Sequence, residues 1–298
     1  MPTAQELDDR FAIPGVLSVR HSERGGPVVV IEGPGSRCQV ALLGAQVLSF
    51  VPASGEDLLW LSPLARLDTG KPVRGGIPIC WPWFGPHPAD SALPAHGLVR
   101  TKPWTLSHTT VGEDGAVTIA LGPEGDLPRP WGELQVGVEI VAGAALKVSL
   151  VTRNNGEEAS VVSQALHAYF KVGDIARAQI DGLGDREYID QVGGNGLKRQ
   201  LGLVTIASET DRVFIDSSDP VTVIDPTFAR RIRINKSGSD STVVWNPWIG
   251  KAARLGDVGA EGYRNFVCVE PANAGPNRIV IPPGGTHVLS ALMSEAPL

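Results

Sequence analysis

Apolar and polar residues alternate along much of the chain with a period of two. The segments "ALKVSLVTRNN" (145–155) and "RRIRINKS" (230–237) are the clearest cases, and this is the pattern of a strand with one face buried. Similar short runs rich in Val, Ile, Leu and Thr lie at 26–33, 38–44, 115–122, 134–143, 176–183, 221–225 and 241–246. The 35 glycines and 24 prolines fall at short intervals and supply the turns between them. Helical periodicity is scarce, confined to 4–12 and a turn near 251–257. Many short strands separated by turn residues predict an all-β sandwich or barrel. No repeat of fixed length is present, which argues against a propeller. The expectation is a single domain over 1–298, with 1–12 as a short helix or a loosely ordered arm.

Two stretches, 62–98 and 185–200, lack the alternating pattern and read as irregular. Loops of that length inside a compact domain are usually functional or disordered. The first is too aromatic for disorder. Its centre, "VRGGIPICWPWFGPHP" (73–88), sets Arg74 among glycines, prolines, Trp81, Trp83 and Phe84. A core strand excludes so much proline, so the segment reads as a loop-built site on a β scaffold. The short "GGNG" (193–196) lacks the following helix and the Lys-Ser/Thr of a phosphate loop, and is taken as a turn.

Charge and cysteine content narrow the function classes. The formal net charge is −6 and no Lys/Arg block occurs, so nucleic acid is a poor candidate for the partner. An anionic substrate would need local positive charge. Cys38, Cys80 and Cys268 are odd in number, far apart and flanked by apolar residues, which predicts buried free thiols and no disulfide framework. No run of about 18 apolar residues suggests a membrane span, and "MPTAQELDDRFAIPG" (1–15) lacks the basic start and apolar stretch of a signal peptide. The expected setting is a reduced, soluble, cytoplasmic protein acting as a monomer.

Candidate chemistry rests on isolated polar residues in apolar settings. None of the six histidines pairs as HxH or HxxxH, so no metal is expected from spacing. His167 lies in "SQALHAYFKVGD", Glu270 in "NFVCVEPANAG", Asp211 in "SETDRVF", and Arg74 and Arg100 flank the aromatic loop. A carboxylate closing an apolar strand is costly unless paired or used, and such sites are where pKa values shift. Each residue also has a plainer account. A histidine in an apolar strand is more often a hydrogen-bonded core residue than a catalyst. Glu270 could bond strand-end amides, the arginines could be ion-paired scaffold, Asp211–Arg212 could be a turn salt bridge, and the Trp81/Trp83/Phe84 cluster could be a core lid. Aromatic rings beside arginines suit a sugar phosphate.

Taken together, "RGGIPICWPWFGPHP", "PAHGLVRTKPW", "LHAYFKVGDIARAQIDGLGDREYID", "ETDRVF", "VVWNPWIGKAARLGD" and "FVCVEPANA" resemble the D-hexose-6-phosphate mutarotases (glucose-6-phosphate 1-epimerases), a branch of the aldose 1-epimerase superfamily. The resemblance runs from about residue 30 to 290, with the motifs in family order. It implies a large antiparallel β-sandwich of the galactose-mutarotase type, binding sugar on a concave face. It implies His167 and Glu270 as the catalytic pair, and Arg74, His96, Arg100 and Asp211 as substrate-binding residues. Trp81, Trp83 and Phe84 would wall the pocket. Ala95 stands where the family often has Gln, so that position is given no role.

The implied reaction interconverts α and β anomers of a hexose 6-phosphate without metal or cofactor. One group takes the proton of the anomeric hydroxyl while another protonates the ring oxygen; C1–O5 breaks, the aldehyde rotates, and the ring closes on its other face. Ionised Glu270 as base and protonated His167 as acid are expected, with the carboxylate setting the lower limb of the pH profile and the imidazole the upper. Two other readings stand beside this one: a non-catalytic sugar-phosphate sensor, and a mutarotase of an unphosphorylated aldose.

Overall fold

The protein, described as a computed structural model covering residues 2–53 and 55–298, is built almost wholly from antiparallel strands. Nine strands form the larger sheet, in the spatial order Val204–Thr205, Gln179–Asp181, Val221–Asp225, Arg230–Ser237, Thr286–Pro297, Leu146–Asn154, Leu134–Ala142, Val117–Pro123 and Trp104–Val111. Facing it is a sheet that runs Gly196–Arg199, Glu187–Asp190, Thr210–Ile215, Ser241–Asn246, Phe266–Asn273, Gln164–Leu166 and Ile79–Cys80, with Tyr169–Lys171 also on Phe266–Asn273. A meander of Leu17–Ser22, Gly26–Glu32, Ser36–Ala41 and Gln46–Pro52 forms a third sheet.

The alternation seen in sequence becomes burial. Leu134–Ala142 points Leu134, Val136, Val138, Ile140 and Ala142 inward and its intervening residues outward. Val148, Leu150 and Ile232 of the nine-stranded sheet join Val244, Val267 and Val269 of its neighbour in one continuous core. Burial of each such aliphatic side chain contributes roughly 1.5–3 kcal/mol, so the space between these two sheets is the main source of stability. This is the expected antiparallel sandwich.

Several local expectations are refined. The N-terminal segment is an ordered helix, Ala4–Phe11: Thr3 and Glu6 form a reciprocal capping box, and Leu7 is buried. The helical turn falls at Trp248–Ala252, slightly before the expected stretch. The 185–200 region is not irregular. Glu187–Asp190 and Gly196–Arg199 pair as a hairpin at the sheet edge, and the expected turn lies between them with Gly194 and Asn195 at positive φ. All of Gly196–Arg199 is exposed, so it lacks the half-buried alternation by which a strand is recognised. In 62–98 the sole strand is Ile79–Cys80. No helix among the described residues is long and apolar enough to cross a membrane.

Candidate active site

Strand Phe266–Asn273 is buried on both faces over its whole length. It is central in its sheet, so one face meets the sandwich core and the other faces the site. Val267 and Val269 point to the core, and Cys268 and Glu270 lie two residues apart on the opposite face. Directly opposed residues of antiparallel neighbours share a face. The register pairs Asp211 with Trp245, Trp245 with Cys268, and Cys268 with Tyr169. One row across four strands therefore carries Asp211, Trp245, Cys268 and Tyr169, and Glu270 sits in the next row opposite Val243.

His167 enters from the break between Gln164–Leu166 and Tyr169–Lys171, where its backbone N–H donates to Pro78 O at 3.0 Å. Its ring stacks on Tyr169, with centroids 4.9 Å apart and planes 8° from parallel. Nδ1 stands 3.3 Å from Glu270 Oε1, with side-chain exposures of 10% and 1%. That is ion-pair distance, yet neither His167 Nδ1 nor Glu270 Oε2 makes a hydrogen bond. The structure thus brings together two buried proton-transfer groups that are far apart in the chain.

Electrostatics sets their protonation. Burial pushes the Glu270 carboxyl well above its ordinary range, and the Asp211 carboxylate adds to the shift. Burial also drives the His167 imidazole well below its ordinary value, reinforced by His96, Arg74 and Arg100. Both groups are therefore driven toward their neutral forms, the opposite arrangement from the ionised carboxylate and imidazolium expected from sequence. Desolvation disfavours charge of either sign, and the cations nearby further oppose a charged ring.

A second set of residues encloses this pair. Arg74 donates from Nη1 to the Tyr169 hydroxyl at 2.9 Å, and its Nη2 lies 3.1 Å from Asp257 Oδ2. Gly76 follows it at φ +63°, where a Cβ would lie 2.1 Å from Val47 O, so the loop presses against a neighbouring strand only because no side chain intervenes. Arg100 donates from Nη2 to Ala95 O at 2.7 Å; a backbone carbonyl steadies it, so residue 95 can do this without a polar side chain. His96 Nδ1 accepts from Gly85 N–H at 3.3 Å, which leaves Nε2 as the protonated nitrogen. Burial, then Arg100 and Arg74, push its pKa down to about 3, so the ring is held neutral. Gly97, at φ +82° with a Cβ position 1.9 Å from Trp81 O, lets the His96 loop close on the strand end. On the far side, burial lifts Asp211 to about 6, near the Lys251–Glu209 ion pair at 3.0 Å.

The aromatic wall needs correction. Trp81 is fully buried and donates from Nε1 to Thr152 Oγ1 of the nine-stranded sheet at 2.9 Å, so it belongs to the core. Trp83 bonds Pro94 O at 3.0 Å and lines a neighbouring cleft of about 350 Å³ with His87, Trp131 and Arg278. Of the three rings, Phe84 is the one beside the site, edge-on to His96 at 5.0 Å. Sequence reasoning gave no role to Tyr169, Trp245, Lys251, Cys268 or Asp257. The first four were within reach of a signal. Tyr169 lies two residues after His167 and Cys268 two before Glu270, the same-face spacing of a strand, while Trp245 and Lys251 lie in "VVWNPWIGK".

The sequence matches the family "Aldose 1-epimerase" over residues 27–294. The chain belongs to the aldose 1-epimerase family. It is 35% identical over 270 residues to the Escherichia coli (strain K12) protein named "Putative glucose-6-phosphate 1-epimerase", covering 89% of each chain. A protein of the same name from Cenchrus ciliaris is 31% identical over 90% of this chain and 85% of its own. The solved structure of "a putative mutarotase (YeaD)" from Salmonella typhimurium superposes with a TM-score of 0.88 at 29% identity, over 97% of this chain and 96% of that one. Membership makes this family chain an isomerase of the aldose-epimerising kind, on the galactose-mutarotase-like sandwich anticipated from its motifs.

Proposed function

We propose that the protein interconverts the α and β anomers of a hexose 6-phosphate, with glucose 6-phosphate as the leading candidate, by proton transfer through His167 and Glu270. The observation that carries this reading is the buried pair itself: an imidazole and a carboxyl 3.3 Å apart, with His167 Nδ1 and Glu270 Oε2 uncommitted to any hydrogen bond. Ring opening needs one donor and one acceptor at the hemiacetal. A pair holding a single exchangeable proton supplies both. With both groups neutral, Glu270 donates to the ring oxygen and His167 accepts from the anomeric hydroxyl, and closure reverses the transfers. Arg100, for which no ion pair is found among the described residues, is the cation available to a phosphate. Arg74 is already engaged by Asp257 and Tyr169. Asp211 and neutral His96 are suited to sugar hydroxyls.

Saturation-transfer NMR of anomer exchange, comparing glucose 6-phosphate with glucose, tests the reaction and its preference together. Faster catalysed exchange on the phosphorylated sugar is expected; equal rates would favour a general aldose mutarotase, and no exchange on either would favour a sensor. The pH profile then tests the protonation state. Because the active pair carries one proton, the rate falls at low pH as His167 gains a second proton and at high pH as Glu270 loses the first. Glu270→Gln should remove the upper limb from whatever activity remains. A free sugar is the better probe, since a phosphate ester titrates near about 6, between the two limbs, and would distort the plateau.

A further inference from the structure

Among the described residues, His167, Cys268 and Glu270 bring three metal-ligating atoms within 4.8 Å of one another, and all three residues are buried. The spacing has the dimensions of a coordination sphere. Tetrahedral zinc with nitrogen and oxygen ligands at about 2.0–2.1 Å holds those two atoms about 3.3 Å apart, and His167 Nδ1 lies 3.3 Å from Glu270 Oε1. With a thiolate at about 2.3 Å from the metal, Cys268 Sγ would have to close on its partners by at most about 1 Å, since the three atoms lie within 4.8 Å of one another. A second observation points the same way: His167 Nδ1 and Glu270 Oε2 are buried polar atoms without hydrogen-bond partners. Orphaned buried groups call for an explanation, and a bound ion is one that would satisfy both atoms at once.

We propose that His167, Cys268 and Glu270 form a binding site for a thiophilic divalent cation of the zinc type, which occupies the proton-transfer pair and blocks it. Zinc accepts a thiolate, an imidazole and a carboxylate as three of four tetrahedral ligands, leaving one position toward the cleft for water. The charges cancel in the bound state, since the two anionic ligands offset the dication. That makes the complex suited to a buried setting that disfavours each charge alone. Starting from thiol, carboxylic acid and neutral imidazole, binding releases two protons to solvent and changes no oxidation state. Spacing along the chain conceals the site, because His167 comes from a separate strand break.

Binding rests on the donor geometry alone; inhibition rests also on the proposed reaction. The first measurement is therefore spectroscopic. Titration of the whole protein with cobalt(II) should give tetrahedral d–d bands with a near-ultraviolet thiolate-to-cobalt band, and zinc should displace it stoichiometrically. Cys268→Ala should lose the thiolate band, and its zinc Kd should rise more than about 100-fold, beyond what losing an outer-shell partner costs. Glu270→Gln should keep the thiolate band but bind more weakly, which covers the case in which the Cys268 variant does not fold. Absence of a thiolate band in the wild type, or unchanged zinc affinity in folded Cys268→Ala, overturns the site. If the metal binds as described, zinc should inhibit anomer exchange competitively and Cys268→Ala should resist it. Binding without inhibition would overturn the blocking role and leave the binding site standing.

Discussion

The two large sheets of the sandwich use the same strand geometry for opposite purposes. In the nine-stranded sheet, strands such as Leu134–Ala142 and Arg230–Ser237 alternate buried and outward residues. Its buried Arg230, 3% exposed, is closely paired at the guanidinium tip: it bonds Glu295 Oε1 at 3.1 Å and reaches the carbonyls of Glu56, Asp57 and Lys171, with Nε alone left unbonded. Its neighbour buries Phe266–Asn273 and Ser241–Asn246 on both faces, yet carries Glu270 and His167 with polar atoms left unpaired. Arg230 has its charge neutralised by an ion pair and three carbonyls, as a scaffold cation needs. Among the described residues, Glu270 and His167 have only each other as ion-pair partners, and a buried polar atom left without a partner costs stability and calls for an explanation.

The sharpest way to break this contrast is to remove charge transfer without removing volume. His167→Asn and Glu270→Gln should each lower anomer exchange by about 10²–10⁴-fold, with folding and phosphate binding retained. Because the two groups act as a unit, the double variant should be little worse than either single one. Near-normal exchange in both singles would move the catalytic assignment elsewhere. The scaffold counterpart is Arg230→Ala, which strands Glu295 and three carbonyls. It should cost about 3–5 kcal/mol in urea unfolding, while the fraction that remains folded turns over normally. A stable but inactive Arg230→Ala protein would erase the distinction between the two sheets.

How far the sequence could be read follows the same divide. Alternation located the scaffold well: 221–225, 230–237 and 241–246 are strands with those same limits. Periodicity had little to say about Gly196–Arg199, whose four residues are all exposed. The meeting of His167 and Glu270 was anticipated through family resemblance alone, because the two come together only through strand pairing across the sheet. Residue type misled at Trp81, since an indole in a proline-rich loop looks the same whether it faces a sugar or the core. Burial also drives His167 and Glu270 toward protonation states opposite to those expected, and that depends on the neighbours' positions, which spacing does not encode.

Within the site, the two arginines sharpen the comparison on a smaller scale. Arg100→Ala should raise KM for glucose 6-phosphate about tenfold to a hundredfold, the worth of a charge-assisted hydrogen bond of roughly 1.5–3 kcal/mol, and leave glucose nearly unaffected. Arg74→Ala should impair both sugars, because Arg74 also holds the Tyr169 ring that stacks on His167. Equal losses on both substrates for Arg100→Ala would assign that residue to the loop and not to the phosphate.

The smallest effect concerns stability, and its sign runs against intuition. Glu270 has a folded-state pKa raised above its ordinary 4.5, so the folded protein binds the carboxyl proton more tightly than the unfolded chain. Stability falls as pH rises from the unfolded value toward the folded one, by up to about 1.4 kcal/mol per pH unit for a single group. Glutamine carries no such penalty. The advantage of Glu270→Gln over the wild type should therefore grow with pH above about 4.5 and level off once the folded pKa is passed. His167 acts in the other direction: its lowered pKa penalises the folded state as pH falls below about 6.5 and contributes nothing above it. Urea unfolding of both proteins from about pH 6.5 to about pH 8 thus isolates the carboxyl. A variant that is less stable than the wild type across that range would mean that Glu270 is satisfied in the folded protein, and that the site-bearing sheet is scaffold like its neighbour.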